Sequence, residues 1–196
     1  MTVFFTSDTH FLHHNILRLA NRPWMTCEEM YESMIVRWNA VVKPKDEVYH
    51  LGDVSLGSVT KTVEILRRLN GRKRLLWGNH DSSLRKKQVF LDEFEWCRNY
   101  YELKIQDSDA PKGVRRIVLC HYPLLTWNSA HHGSWMLHGH CHGKSDHLNE
   151  TTTRHDVGVD SNNYTPISYA TVKTIMAEKS YDFLDGRPRV LTEPDP

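Results

Sequence analysis

Five times along this chain a short apolar run stops at a cluster of acid, amide or imidazole: "TVFFTSDTH", "DEVYHLGD", "RKRLLWGNHD", "VRRIVLCHYP" and "SWMLHGHCHG". Runs of this length, rich in β-branched and aromatic residues, read as buried strands. Sites in open α/β sheets collect outside the carboxyl ends of strands. Five such ends therefore predict a fold that brings them to one edge, with Asp8, His10, Asp53, Asn79, His80, Asp81, His121, His140 and His142 gathered there.

The segments between the runs support parallel βαβ units up to residue 81. Thr26 with Glu29 three residues on forms a capping box, and Met30, Met34, Trp38 and Val41, widened by Tyr31 and Ile35, mark the buried stripe of a long helix. Ser58 opens a second helix whose Val63, Leu66 and Leu69 face inward and which ends at Asn70-Gly71. Beyond it, "YYELKIQ" and "VRRIVLCHYP" flank the turn-rich "DSDAPKG" and predict an antiparallel hairpin. "SWMLHGHCHG" and "RHDVGVDSN" predict two further strands, Ser168 begins a last helix to about Glu178, and "LDGRPRVLTEPDP" is an extended tail. The expectation is one domain over residues 1–196, with its motifs in 8–142 and a strand, helix and tail in 150–196.

Composition narrows the partners. Lys plus Arg (25) nearly balance Asp plus Glu (24), so strong non-specific nucleic-acid binding is not expected. The N-terminus has no signal-peptide pattern and no run of apolar residues is long enough to span a membrane, which predicts a cytoplasmic protein without a membrane partner. Cys27, Cys97, Cys120 and Cys141 are scattered singly and read as reduced thiols, the last two as packing. Histidine is the outlier: 13 residues, where average usage of about 2 % would give roughly 4.

Carboxylate, imidazole and amide without thiolate suit hard and borderline divalent ions such as Mn²⁺, Fe²⁺ or Zn²⁺. Seven donors exceed what one tetrahedral ion takes. Two ions sharing a carboxylate, about 3.5–4 Å apart, would use them all and are a common device for phosphoryl transfer.

In this order, Asp-x-His, Gly-Asp, Gly-Asn-His-Asp, His and Gly-His-x-His from Asp8 to His142 resemble the signature of the calcineurin-like metallophosphoesterase superfamily. The resemblance implies an α/β fold, a four-layer α/β/β/α sandwich of two mixed β-sheets flanked by helices. It implies that Asp8, His10 and His142 hold one metal and Asn79, His121 and His140 a second, with Asp53 bridging. The ions would be Mn²⁺ foremost, with Fe, Zn or Ni as alternatives. In the same reading Gly78 lets the backbone turn, His80 faces the phosphate as acid or charge stabiliser, and Asp81 orients His80 and raises its basicity. A metal-bridging hydroxide would then attack phosphorus in line with the leaving group.

Substrate contacts are expected from His13 and Asn15, just past the first motif. "WNSAHHGSW" should overhang the site, where Trp127 and Asn128 could stack on and hydrogen-bond a base; a tryptophan simply packed on the sheet edge is the equal alternative. His50 reads as a satisfied, half-buried histidine, and His131, His132, His138, His147 and His155 as supporting or surface imidazoles. The segment after Gly52-Asp53 is "VSLGS", whereas the protein Ser/Thr phosphatase branch of the superfamily carries Asp-Arg-Gly there. The expected reaction is hydrolysis of a small, nucleotide-type phosphodiester, with a phosphomonoesterase or nucleotide pyrophosphatase as alternatives. The opposing class is a non-catalytic metal-binding scaffold, which would be expected to have lost ligands that this chain keeps.

Overall fold

The computed structural model describes residues 1–179, and the expected tail at 184–196 lies outside them. In chain order the elements are β1 (Val3–Thr6), α1 (Ile16–Leu19), α2 (Cys27–Val41), β2 (Glu47–His50), α3 (Val59–Arg68), β3 (Arg72–Leu76), α4 (Gln88–Leu91), β4 (Cys97–Arg98), β5 (Tyr100–Gln106), β6 (Val114–Cys120), β7 (Trp135–His138), β8 (Arg154–Asp156), β9 (Ile167–Ser168) and α5 (Tyr169–Ala177). They make two mixed sheets flanked by helices, of strand order β4-β3-β2-β1-β9 and β5-β6-β7-β8. Among the described residues no helix is long and apolar enough to cross a membrane.

Side-chain alternation along the strands separates two cores. Phe4, Val48 and Leu75 lie on the face covered by Met30, Met34 and Trp38 of α2 and by Val63 and Leu66 of α3. Their neighbours Phe5, Tyr49 and Leu76 face the other way, onto Ile117, Leu119, Trp135 and Leu137 of the second sheet, with Val172 and Met176 of α5 closing the edge. A third, smaller cluster, Val118, Cys120 and Met136, lies on the opposite face of β6 and β7 and is covered by Leu124 and Trp127.

The α2 cap forms as the sequence predicts: Thr26 Oγ1 accepts from the Glu29 N–H at 3.1 Å, and Glu29 Oε2 accepts from the Thr26 N–H at 3.2 Å. Val41 does not join the buried stripe. The helix ends there, the chain turns extended at Val42, and Val42 is buried while Val41 is 38 % exposed. Ser58 caps α3 by accepting from the Lys61 N–H.

In the first sheet β1, β2, β3 and β4 run parallel, and only β9 is antiparallel. The hairpin is present, with β5 antiparallel to β6 from Tyr100↔Cys120 to Gln106↔Val114. The second half is nevertheless more parallel than the sequence suggests, because β6, β7 and β8 all run the same way. Their crossovers, residues 121–134 and 139–153, contain only short 3-10 turns and no α-helix, so the usual sign of a parallel connection is missing from the sequence. All the parallel strands thus deliver their carboxyl ends to one place. Contacts between Asp8 and His142 and between Asp53 and His121 show that the ends of the two sheets meet.

Candidate metal centre

Asp8 follows β1, Asp53 follows β2, Asn79 follows β3, His121 follows β6, and His140 and His142 follow β7. The Nε2 atoms of His10 and His142 each lie 4.0 Å from Asp8 Oδ1. Asp53 Oδ2 lies 3.5 Å from both His10 Nε2 and His121 Nε2, midway between the two halves of the cluster. Asn79 Oδ1 is 3.0 Å from His121 Nε2 and 2.9 Å from His140 Nδ1. The seven donors expected at the edge are therefore contiguous. Two carboxylate–imidazole groups among them are close enough to hold a metal ion: Asp8, His10 and His142, and Asp8, Asp53 and His121.

Backbone geometry brings the donors in at a cost. Asp8, His10, Asp53, His140 and His142 all have positive φ, between 48° and 71°. Non-glycine residues held in this region store about 1–3 kcal/mol each and persist where the surroundings over-determine them. The neighbouring glycines allow close approach. A Cβ on Gly139 would lie 2.0 Å from Ser7 Oγ and 2.3 Å from Asp8 Oδ2. At Gly78 it would lie 2.2 Å from Asp53 Oδ1, although Gly78 itself is extended, with φ −92° and ψ 175°. Gly78 is thus required for space next to Asp53 rather than for the turn expected of it.

The donor set calls for a cation. Among the described residues, Asp8 Oδ1 and His10 Nε2 are buried with no hydrogen-bond partner. His121 Nδ1 lies 2.7 Å from the Leu51 carbonyl, which can only accept, so that nitrogen carries the proton. In a neutral ring Nε2 is then a bare acceptor, and it faces Asn79 Oδ1 and Asp53 Oδ2, two more acceptors. Burial holds the His121 imidazole below its usual pKa, so a second proton is disfavoured and a positive ion suits the gap. Burial also pushes the Asp8 carboxyl up to about 8, with the charges of Asp156 and Asp53 adding to the rise against His142. His10 is driven well below its usual range by burial and by Arg22. A bound cation would reverse the penalty on the Asp8 carboxylate.

Two residues that the sequence did not single out hold this side of the cluster. Arg22 is buried, donates to the Asp8 carbonyl at 2.7 Å and the Thr9 carbonyl at 2.9 Å, and grips Asp160 with Nε and Nη2, each at 2.8 Å. Asp160 Oδ2 in turn lies 2.6 Å from His142 Nδ1, which fixes the proton there and turns Nε2 toward Asp8. Burial alone would lower His142, but the bond to Asp160 and the charge of Asp8 together raise it. Asp160 follows β8, so it repeats the strand-end pattern that marked the other sites.

Asp81 does not orient His80. Its two oxygens accept from the backbone N–H groups of Asp53 and Val54, each at 2.9 Å, and of Gly78 at 2.8 Å, which ties the loop after β2 to the loop after β3. The buried carboxylate is occupied by these three bonds. His80 is exposed; its N–H donates to Asp53 Oδ1 at 2.8 Å and its ring centroid is 5.3 Å from that of His10. His13 lies against the cluster, Nδ1 3.4 Å from His10 Nδ1.

Asn15, by contrast, precedes α1 with an exposed side chain that makes no cap bond. Trp127 takes the packing alternative, covering Val118, Cys120 and Met136 and donating Nε1–H to Ser134. Asn128 donates to Glu102 at 2.9 Å. The exposed aromatic at the cluster is instead Tyr122, whose ring stands edge-on to His140 at 4.8 Å. His50 is fully rather than half buried, bonded to Thr9 Oγ1 and the Gly52 N–H, and burial lowers its pKa to about 3.

Two mixed sheets joined at their carboxyl edges over clustered carboxylates and imidazoles define a metal-binding α/β sandwich. The chain belongs to the calcineurin-like phosphoesterase family, whose model matches residues 1–175. It is accordingly a metal-dependent phosphoesterase, a hydrolase that uses divalent ions. It is 34 % identical over 174 residues to an uncharacterized protein of Methanocaldococcus jannaschii, covering 85 % of this chain and 86 % of that one. To the gene 66 protein of Mycobacterium phage L5 it is 26 % identical over 180 residues, covering 80 % and 86 %. A crystal structure of a protein of unknown function from Aquifex aeolicus superposes with a TM-score of 0.64 at 28 % identity, covering 89 % of this chain and 98 % of the other.

Proposed function

We propose that the protein hydrolyses a small, nucleotide-type phosphodiester with two divalent ions held by Asp8, His10, Asp53, Asn79, His121, His140 and His142, Asp53 lying between them. The observation that carries this reading is a convergence of carboxylate oxygens and imidazole nitrogens that hydrogen bonds within the protein do not satisfy: Asp53 Oδ2 at 3.5 Å from the Nε2 atoms of His10 and His121, with the partnerless Asp8 Oδ1 and His10 Nε2 beside it. Two bound ions, Mn²⁺ foremost, would acidify a water and neutralise charge on the phosphoryl oxygens.

The rest falls to the chain. Asp81 and the strained loops hold the donors in place before substrate arrives. His80 would meet the phosphate and protonate the leaving oxygen, a role supported by its exposure beside His10. The guanidinium of Arg22 is spent on Asp160 and two carbonyls, and among the described residues the cleft beside the cluster is lined by His13, His80 and Lys144 without an arginine. A diester carries one negative charge fewer than an ionised monoester, so a site without a guanidinium clamp favours the diester.

Hydrolysis of bis(para-nitrophenyl) phosphate and para-nitrophenyl phosphate side by side tests the reading, after chelation and re-addition of Mn²⁺, Ni²⁺, Zn²⁺ or Mg²⁺. Metal-dependent turnover that is faster on the diester is expected. Turnover of the monoester alone would overturn the diester assignment, and no turnover by folded protein with any metal would favour the scaffold.

A further inference from the structure

Beside His10, His80 and His142 the surface opens into a cleft of about 280 Å³ whose two walls differ in chemistry. One wall is imidazole, with His13 added, and the exposed Lys144 also lines the cleft. The other is Ile16 and Leu19 of α1 with Ala20 at its end. Ile16 is buried and anchors the short helix, whereas Leu19 is 56 % exposed and offers its side chain to whatever enters.

We propose that this cleft seats one organic arm of the substrate diester and that Leu19 selects an apolar, aryl or alkyl arm over a hydrophilic one. The inference rests on the diesterase reading and adds the substrate class. Three observations carry it. The cleft is continuous with the donor cluster, since His10 and His142 belong to both, so a substituent of a phosphate bound at the cluster has this cleft within reach. Its volume lies just below the range of about 300–1,000 Å³ typical of small-molecule sites, enough for one compact group and not for a folded partner. Trp127 and Asn128, the side chains expected to meet an organic group, are committed to Ser134 and Glu102 instead, and the exposed Tyr122 stands beside His140 outside this cleft, whose apolar lining is Ile16, Leu19 and Ala20. Lys144 in the lining suits the single negative charge of the ester and is indifferent to its substituent.

Calorimetric binding of diphenyl phosphate and dimethyl phosphate to the Mn²⁺-loaded protein tests this in the wild type, Leu19→Ser and Lys144→Ala. The wild type is expected to prefer diphenyl phosphate by about tenfold or more, the scale of apolar discrimination in such pockets. Leu19→Ser should remove most of that preference, and Lys144→Ala should weaken both esters while keeping it. Equal affinities in the wild type, or a preference that survives Leu19→Ser, would overturn the proposal. Because the readout is binding, absent turnover would count against the hydrolytic reading alone.

Discussion

Asp160 reaches His142 with one oxygen and Arg22 with both, and Arg22 continues to the carbonyls of Asp8 and Thr9. Two donors of the cluster are thereby held from behind by one buried ion pair. Asp160→Asn keeps the shape of the side chain and removes its charge. It should lower divalent-ion affinity by about 10–100-fold, the usual effect of losing a partner behind a metal ligand, with thermal melting used to confirm that the variant is folded. Calorimetric titration of the metal-free protein with Mn²⁺ would show it; unchanged affinity would contradict the role. That the seven residues of the proposed donor set gather at one edge was legible in the sequence, because each motif is local and chemically odd for a strand end. Arg22 and Asp160 were not, since they are 138 positions apart and the pairing is a product of the fold. Asp81 departs from the role that the resemblance implied for it, because its carboxylate is taken up by three backbone N–H groups rather than by His80.

At the scale of elements, strand and helix starts followed their local chemistry. Thr26, Ser58 and Ser168 all cap the helices they were expected to open. Thr26→Ala should cost about 1 kcal/mol in urea unfolding without altering metal uptake, because α2 packs on the far side of the first sheet from the second sheet. A much larger loss, or lost metal, would show that the cap also supports the site. Elements whose formation depends on neighbours were harder to see. β4 and β9 have two residues each and exist only by pairing with β3 and β1. The parallel course of β7 and β8 is set by the register of their ladders, with no crossover helix to announce it. Of the two placements that the sequence leaves open for Trp127, the packed one forms, because covering Val118 and Met136 with the indole gains more than leaving it in water.

For the molecule as a whole, neither sheet contains all the residues of the proposed donor set. Asp8, His10, Asp53 and Asn79 come from ends of the first sheet, and His121, His140 and His142 from ends of the second. Packing Phe5, Tyr49 and Leu76 against Ile117, Leu119 and Leu137 is what brings those ends within reach, and ions bound across the seam would stabilise the same packing. The two mixed sheets were implied by the family resemblance that the motifs carry, and the residues of the seam were not, because they depend on which faces of the strands meet. Divalent-ion content per chain, measured after chelation, reloading with Mn²⁺ and removal of free metal, bears most directly on the central claim, with Asp53→Asn as the paired variant. A dinuclear site built on Asp53 predicts two ions in the wild type and loss of at least one, with activity, in Asp53→Asn; a folded wild type that takes up none, or an Asp53→Asn protein that keeps both, would contradict it.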